Sequence, residues 1–288
     1  MRRAGQPFHL PLNELAPLLD RVLLPVQFAR PRDQSQFLRF LIFQRVLRVA
    51  RVDLQACEAF ARLGDILDRT RPAMLSVENE EDSELFYTGT PEEYGAVLQA
   101  ACEVAHARHI DCTNGGLVSS LVGLLTWEDI LSRGEAAQAC NFAWRAFAEP
   151  GQPVRPEVLC RAGSAADLPM AVREKIARGH ALLEVYPGAG IDALNFHWYV
   201  ADDKAMSQAV EFLRSQSDLP VLTNELGQHD EDPARPPALL SKALELDLSC
   251  VIWFSIDMVQ ARALIDPDGT LRPNGLAFQA FMAAHTGH

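Results

Sequence analysis

Ala73-Met-Leu-Ser-Val-Glu-Asn-Glu80 is a short apolar run that stops in a cluster of carboxylates, Glu78, Glu80, Glu81 and Asp82. A run this short and apolar reads as a buried strand, and a strand that ends in acids exposes them where the sheet meets solvent. A second stretch repeats the arrangement. Leu219-Pro-Val-Leu-Thr-Asn-Glu225-Leu-Gly227 is another apolar run, ending in Asn224-Glu225 and closed by a glycine, with Glu225 lying 145 positions after Glu80.

Working outward, Thr90-Pro91-Glu92-Glu93 predicts a helix start: Thr90 can cap, Pro91 suits the first turn and Glu93 completes a capping box. Tyr94, Val97, Leu98, Ala101 and Ala105 give that helix a buried stripe. His109-Ile-Asp-Cys-Thr-Asn-Gly-Gly116 is too short for a helix and reads as a strand. The unit from 73 to 116 is thus strand, helix, strand, which normally makes parallel neighbours joined by a right-handed crossover. Residues 117 to 182 read as mainly helical in at least two pieces. Beyond them strands over 191–199, 219–223 and 248–256 alternate with helices over 203–215, 238–245 and 274–284, the pattern of a parallel sheet. Before residue 73, Leu54 to Asp68 predicts a helix with Cys57, Phe60, Leu63 and Leu67 on one face. Gln36 to Val49 suits a helix or a short strand and is read as a helix, and Val22 to Phe28 as a strand despite its proline.

This order predicts an α/β fold, a (β/α)8 TIM-barrel-like architecture with an abbreviated N-terminal part, in a single catalytic domain spanning 1–288. Five strand-helix units fill residues 73 to 288, so the 72 residues before them have room for one or two more.

A formal net charge of -12 argues against nucleic acid as a partner. No run of 18 apolar residues appears, so no membrane span is expected. Pro7, His9, Pro11, Asn13 and Glu14 break up any apolar leader, which favours a cytoplasmic location. The six cysteines carry no C-x-x-C pair and read as reduced, buried thiols. The acidic run Glu80-Glu-Asp-Ser-Glu84 lacks calcium-loop spacing, and no phosphate loop or dinucleotide fingerprint follows a strand, so neither metal nor cofactor is expected.

The strand ends carry Asn79-Glu80, Asn114-Gly-Gly116, His197-Trp-Tyr199, Asn224-Glu225 and Trp253. In parallel α/β barrels that end is the active-site face. Carboxylates, amides, an imidazole, a phenol and indoles are also the groups that bind sugars. Hydrolysis of a glycosidic bond needs one acid to protonate the leaving oxygen and one carboxylate to meet positive charge at the sugar carbon. Glu80 is the candidate acid/base and Glu225 the candidate nucleophile, with Glu78 as an alternative to Glu80 if the strand ends earlier. Asn79, Asn114, His197, Tyr199, Asn224 and Trp253 are candidate sugar contacts, Tyr199 also as a donor to Glu225. Each has a structural alternative: a tight turn at Asn114, a core histidine at His197, a core indole at Trp253. Trp198 alternates with its neighbours and is expected to pack behind the sheet.

These motifs resemble the clan A retaining glycoside hydrolases, which include cellulases, mannanases and β-xylosidases. Asn79-Glu80 is similar to the pair that ends their fourth strand, Glu225-Leu-Gly227 to the nucleophile segment of the seventh, His197-Trp-Tyr199 to the sixth strand end and Trp253 to the eighth. The resemblance covers about 54 to 288. It implies a TIM barrel and a retaining β-glycosidase acting on an oligosaccharide, polysaccharide or small glycoside. It departs at Glu81, where the group often has proline, and in the early-strand arginine, for which Arg30, Arg32, Arg45, Arg48 and Arg51 are all candidates. The alternative is a non-catalytic, barrel-derived carbohydrate-binding or interaction protein.

Overall fold

The computed structural model describes residues 54–149, 152–255 and 263–285, together with the strand at 40–43. The described elements run β1 (Phe40–Phe43), α1 (Leu54–Thr70), β2 (Met74–Val77), α2 (Pro91–His106) and β3 (Asp111–Asn114). There follow α3 (Ser119–Ser132), α4 (Ala136–Phe147), α5 (Pro156–Arg161), a 3-10 turn (Ala165–Asp167) and α6 (Met170–Ala189). The chain continues through β4 (Leu194–Trp198), α7 (Asp203–Gln216), β5 (Val221–Leu226), α8 (Arg235–Glu245), β6 (Val251–Trp253) and α9 (Pro273–His285).

An eight-stranded closed barrel is not what the described residues build. They form a mostly helical fold with two three-stranded parallel sheets, ordered β1-β2-β3 and β4-β5-β6. The five strands expected between 73 and 288 are all present, and with β1 they make six among the described residues, two short of the expected eight. The two sheets meet along a short seam of isolated parallel bridges, Thr113 with Ala193 and Leu117 with Phe196. Among the described residues no pairing joins β6 back to β1. A second correction concerns the expected helix over 36–49: Phe40-Leu-Ile-Phe43 is a parallel strand in register with Met74–Val77. A bare run of four apolar residues carries no periodicity, so only its pairing decides between helix and strand. The rest of that span, the expected strand at 22–28 and all five candidate arginines lie outside the described residues.

Local chemistry accounts for the elements that frame the site. At the start of α2 the Thr90 Oγ1 accepts from the Glu93 amide at 3.2 Å, while the Thr90 amide donates to Glu93 Oε2 at 2.9 Å. This closed capping box satisfies two of the end donors a helix otherwise leaves open, a contribution of about 1 kcal/mol. The helix then places Tyr94, fully buried, under the ends of β2 and β3: its hydroxyl donates to the Val77 carbonyl at 2.9 Å and accepts from the Gly115 amide at 3.0 Å. One apolar core runs from Leu63 to Phe281 and includes Trp127, Phe142, Phe196 and Trp198. Trp198 packs its ring against Phe196, with centroids 6.1 Å apart.

Disulfides join Cys102 to Cys112, and Cys140 to Cys160, which corrects the expectation of reduced thiols; Cys250 is buried and free. The first pair ties the inner face of α2 to β3, and the second ties α4 to α5. Disulfides persist in oxidising compartments and are rare in a reducing cytosol, so the cytoplasmic expectation does not carry over. Among the described residues no helix is long and apolar enough to cross a membrane.

Candidate active site

Strands β2 to β5 carry buried polar side chains among the apolar residues that usually fill a parallel sheet. Ser76, Thr113, Asn114, Asn195, His197, Thr223, Asn224 and Glu225 are all buried. A buried polar group needs partners, and here neighbouring strands supply most of them, Thr223 Oγ1 and Asn224 Nδ2 having none among the described residues. Ser76 Oγ donates to the Asn114 carbonyl at 3.0 Å. Asn114 crosses the seam: its Oδ1 accepts from the Asn195 amide at 2.7 Å, and its Nδ2 donates to the Asn195 carbonyl at 3.0 Å. Asn195 Nδ2 donates in turn to Asn224 Oδ1 at 2.8 Å. The register of β4 against β5 shifts between Asn195 and His197, a bulge of the kind that re-aims side chains beside a site.

Three groups converge at the end of this network. His197 Nδ1 lies 3.1 Å from Glu80 Oε1 and 3.4 Å from Glu225 Oε2. One oxygen of each carboxylate and the imidazole nitrogen all lie within 4.8 Å of one another. Tyr199 donates its hydroxyl to Glu225 Oε2 at 2.8 Å, and its ring stacks on His229 with centroids 5.1 Å apart. The side chain of Glu80 is 20% exposed, that of Glu225 8% and that of His197 0%, so Glu80 is the member nearest to solvent. Glu78 lies outside β2 and adopts a left-handed backbone, φ 65°, as does Glu80, φ 46°. Such backbone costs an L-residue about 1–3 kcal/mol, and its occurrence clusters at functional sites. Asn79 sits between them, buried, and its Oδ1 and the Asn224 Nδ2 are buried atoms without a partner among the described residues.

Burial pulls the His197 pKa down, but the hydrogen bond the ring donates to Glu80 and the charges of Glu225, Glu80 and Glu81 outweigh it and leave His197 above its ordinary value. His197, Glu80 and Glu225 offer three ligand atoms in reach of a metal ion. The same geometry is equally what a protonated imidazole between two carboxylates makes, with every ring nitrogen satisfied.

Glu81 was read as one acid of an exposed loop, and it is fully buried. Its Oε1 accepts from Tyr186 and, at 2.9 Å, from Asn114 Nδ2, while its Oε2 has no partner among the described residues. Burial pushes this carboxyl up to about 7, the two hydrogen bonds pull it back, and the charge of Asp82 adds to the rise. Helix α6 clamps the whole acidic segment: Arg178 donates to the carbonyls of Glu81 at 2.8 Å and Gly89 at 3.0 Å, and Lys175 Nζ lies 3.4 Å from Asp82 Oδ2. Asp82 also accepts from the Val118 amide at 3.0 Å, and burial still raises its pKa.

The two glycines after Asn114 leave room for these side chains. A Cβ at Gly116, where φ is +103°, would stand 2.1 Å from His197 Nε2, and one at Gly115 would stand 2.7 Å from Glu81 Oε2. Of the sequence-derived candidates, Glu80, His197, Tyr199, Asn224 and Glu225 share one cluster, and Asn114 joins it through Asn195. Trp253 does not show the same connection: it is 5% exposed and packs against Phe278 with ring centroids 6.0 Å apart. Glu81 and Asn195 were missed. Asn195 had a signal, since an amide between Leu194 and Phe196 in a buried strand has to find a partner indoors.

No family model matches the chain, and no curated protein does. Among solved structures, an endo-β-1,3-glucanase of GH128 subgroup II from Sorangium cellulosum is 17% identical and matches with a TM-score of 0.48 over 79% of this chain and 77% of that one. A GH128 subgroup VI exo-β-1,3-glucanase from Aureobasidium namibiae is 12% identical with a TM-score of 0.46, over 76% of this chain and 70% of that one. A GH128 subgroup VII oligosaccharide-binding protein from Trichoderma gamsii is 8% identical with a TM-score of 0.47, over 81% and 76%. The resemblance to cellulases, mannanases and β-xylosidases implied a TIM barrel and is corrected on that point, since the described residues close no barrel.

Proposed function

We propose that the protein is a retaining glycoside hydrolase that cleaves β-glycosidic bonds, with Glu225 as nucleophile and Glu80 as acid/base. The observation that supports this reading is that an oxygen of Glu80 and an oxygen of Glu225, from segments 145 positions apart in the chain, lie within 4.8 Å of each other. Direct attack by one carboxylate needs a separation of about 5–5.5 Å, whereas admitting a water for inversion needs about 6.5–9.5 Å.

The division of labour follows from the surroundings of each acid. Glu225 accepts from Tyr199 and lies beside the His197 imidazole, and both stabilise its negative form. It attacks the anomeric carbon as the glycosidic C–O bond breaks. Glu80, nearer to solvent, gives its proton to the departing oxygen, so the leaving group departs as an alcohol. Water then enters, Glu80 takes a proton from it, and the resulting hydroxide oxygen displaces Glu225, restoring both carboxyls and the original anomeric configuration. Asn79 Oδ1 and Asn224 Nδ2, which lack partners among the described residues, are the acceptor and donor this reading assigns to sugar hydroxyls.

The test is turnover on a panel that begins with β-1,3-glucans, the substrates in the names of the matched structures, and extends to aryl β-glycosides. Glu80→Gln and Glu225→Gln are each expected to lower kcat by about 10²–10⁴-fold or more while sugar binding survives. Wild-type binding of these glucans without turnover would transfer the chain to the carbohydrate-binding alternative, and absence of both would remove the carbohydrate reading.

A further inference from the structure

The hydrogen-bond network that ends at His197 has one consistent assignment of protons, and that assignment fixes which nitrogen is free to exchange one. Asn195 is oriented by backbone on both sides, because its Nδ2 donates to the Asn114 carbonyl at 3.2 Å and its Oδ1 accepts from the Asn224 amide at 3.1 Å. The group it turns toward the Asn224 side chain is therefore the NH2, and the atom that meets it at 2.8 Å is an acceptor, Asn224 Oδ1. His197 Nε2 lies 2.9 Å from that same oxygen and so carries a hydrogen. Nδ1, between Glu80 Oε1 and Glu225 Oε2, is the remaining ring position at which a proton can be gained or lost.

We infer that Asn195 and Asn224 lock His197 as the Nε2–H tautomer, and that His197 is a positioning residue whose Nδ1 holds the proton Glu80 uses in the reaction. This rests on the reading of Glu80 as the acid. Along the 3.1 Å contact the proton has two resting places. On Nδ1 it leaves an imidazolium and a Glu80 carboxylate; on Glu80 it leaves a neutral ring and a carboxylic acid that donates back to Nδ1. The move transfers one proton and no heavy atom, and the pair stays neutral overall beside ionised Glu225. When the glycosidic oxygen takes the proton, Glu80 returns to carboxylate, and the proton released by the incoming water restores the pair. Among the described residues, the charged and titratable groups that face the ring include Glu80 from the segment after β2, Glu225 from β5 with Tyr199 behind it, and Glu81 at longer range. The site has been shaped around this ring, since Gly116 gives it the space a Cβ would occupy.

The experiment is histidine-selective 15N NMR of the full chain without substrate, from pH 5 to 9, with His197 identified by the resonance lost in His197→Asn or, if that variant does not fold, by the one perturbed in Asn224→Asp. The expected result is an Nε2 that stays protonated throughout and an Nδ1 that alone titrates, at a pH that falls by about one unit in Glu80→Gln. In activity, Asn224→Leu is expected to move the alkaline limb of kcat/KM down by about one pH unit, and Asn224→Asp, which keeps the acceptor and adds charge, to move it up. A neutral ring protonated at Nδ1, or an Nδ1 indifferent to Glu80→Gln, would overturn the inference. So would Zn2+ binding that broadens Nδ1 in the wild type and is lost in Glu80→Gln, because the cluster would then be a metal site. The NMR readout needs no turnover: the expected spectrum in a protein that cleaves no glycoside would sink the hydrolase reading and with it the use of the proton, while leaving the tautomer assignment standing.

Discussion

Replacing Glu81 by glutamine should stabilise the protein at neutral pH and not in acid. Glu81 is fully buried, and burial raises its carboxyl from 4.5 to about 7. The unfolded chain therefore releases this proton at lower pH than the folded one, and between the two values the folded state binds more protons. Stability from this group is fully present below about 4.5, falls as pH rises through the window and levels off above about 7. The displacement is about 2.5 units, and at 1.36 kcal/mol per unit the whole loss is about 3 kcal/mol. Glutamine keeps an oxygen for Tyr186 and Asn114, places an amide where the unpaired Oε2 stood, and does not titrate. Urea unfolding of both proteins should show the variant gaining about 2–3 kcal/mol on the wild type between pH 5 and pH 8, since part of the loss has occurred by pH 5. A difference that stays flat, or a wild type that gains on the variant as pH rises, would refute the reasoning, because it would mean that the two hydrogen bonds to Glu81 outweigh its desolvation.

Gly116→Ala should cost about 1–3 kcal/mol for the left-handed backbone and, in addition, displace His197, so that kcat falls sharply. Gly134→Ala is the control: φ is +82° there but nothing lies within 4 Å of the added Cβ, so thermal melting should drop while activity holds. Cys102, Cys112, Cys140 and Cys160 should resist alkylation under denaturing conditions until a reductant is added, as mass spectrometry would read. Reduction should lower stability by about 2–4 kcal/mol per bridge by the chain-entropy model, and complete alkylation without reductant would contradict the pairing.

What the sequence disclosed was mainly what depends on near neighbours. The Thr90 box, the stripe of α2 and the alternation of strands and helices after residue 190 are set within a few positions and reappear in the fold. The barrel did not: the strands expected after residue 73 are present, but closure depends on pairing between distant edges, and among the described residues no pairing joins β6 back to β1. Glu81 defeated the reading for a different reason. Beside Glu80, Asp82 and Glu84 it looks solvated, and the residues that bury it, Asn114 and Tyr186, lie 33 and 105 positions away. The disulfides are illegible for the same cause, since a cysteine pairs by the proximity of its Cα and not by its spacing along the chain. Strand-terminal carboxylates were conspicuous, whereas the amide of Asn195, flanked by Leu194 and Phe196, drew no attention beside the His197-Trp-Tyr199 motif.

The joint between the sheets has a mechanical implication. Glu80 follows a strand on one side of that joint and Glu225 belongs to a strand on the other, and between them stand two lone bridges and the interlocked amides of Asn114 and Asn195 instead of an unbroken ladder. Side-chain amides yield more readily than a backbone ladder, so substitution at Asn114 or Asn195 is expected to change the distance between Glu80 and Glu225 without altering either. Alterations at positions 114 and 195 would then retune the reach of the pair, as loosening the pivot of a pair of tongs changes where its tips meet.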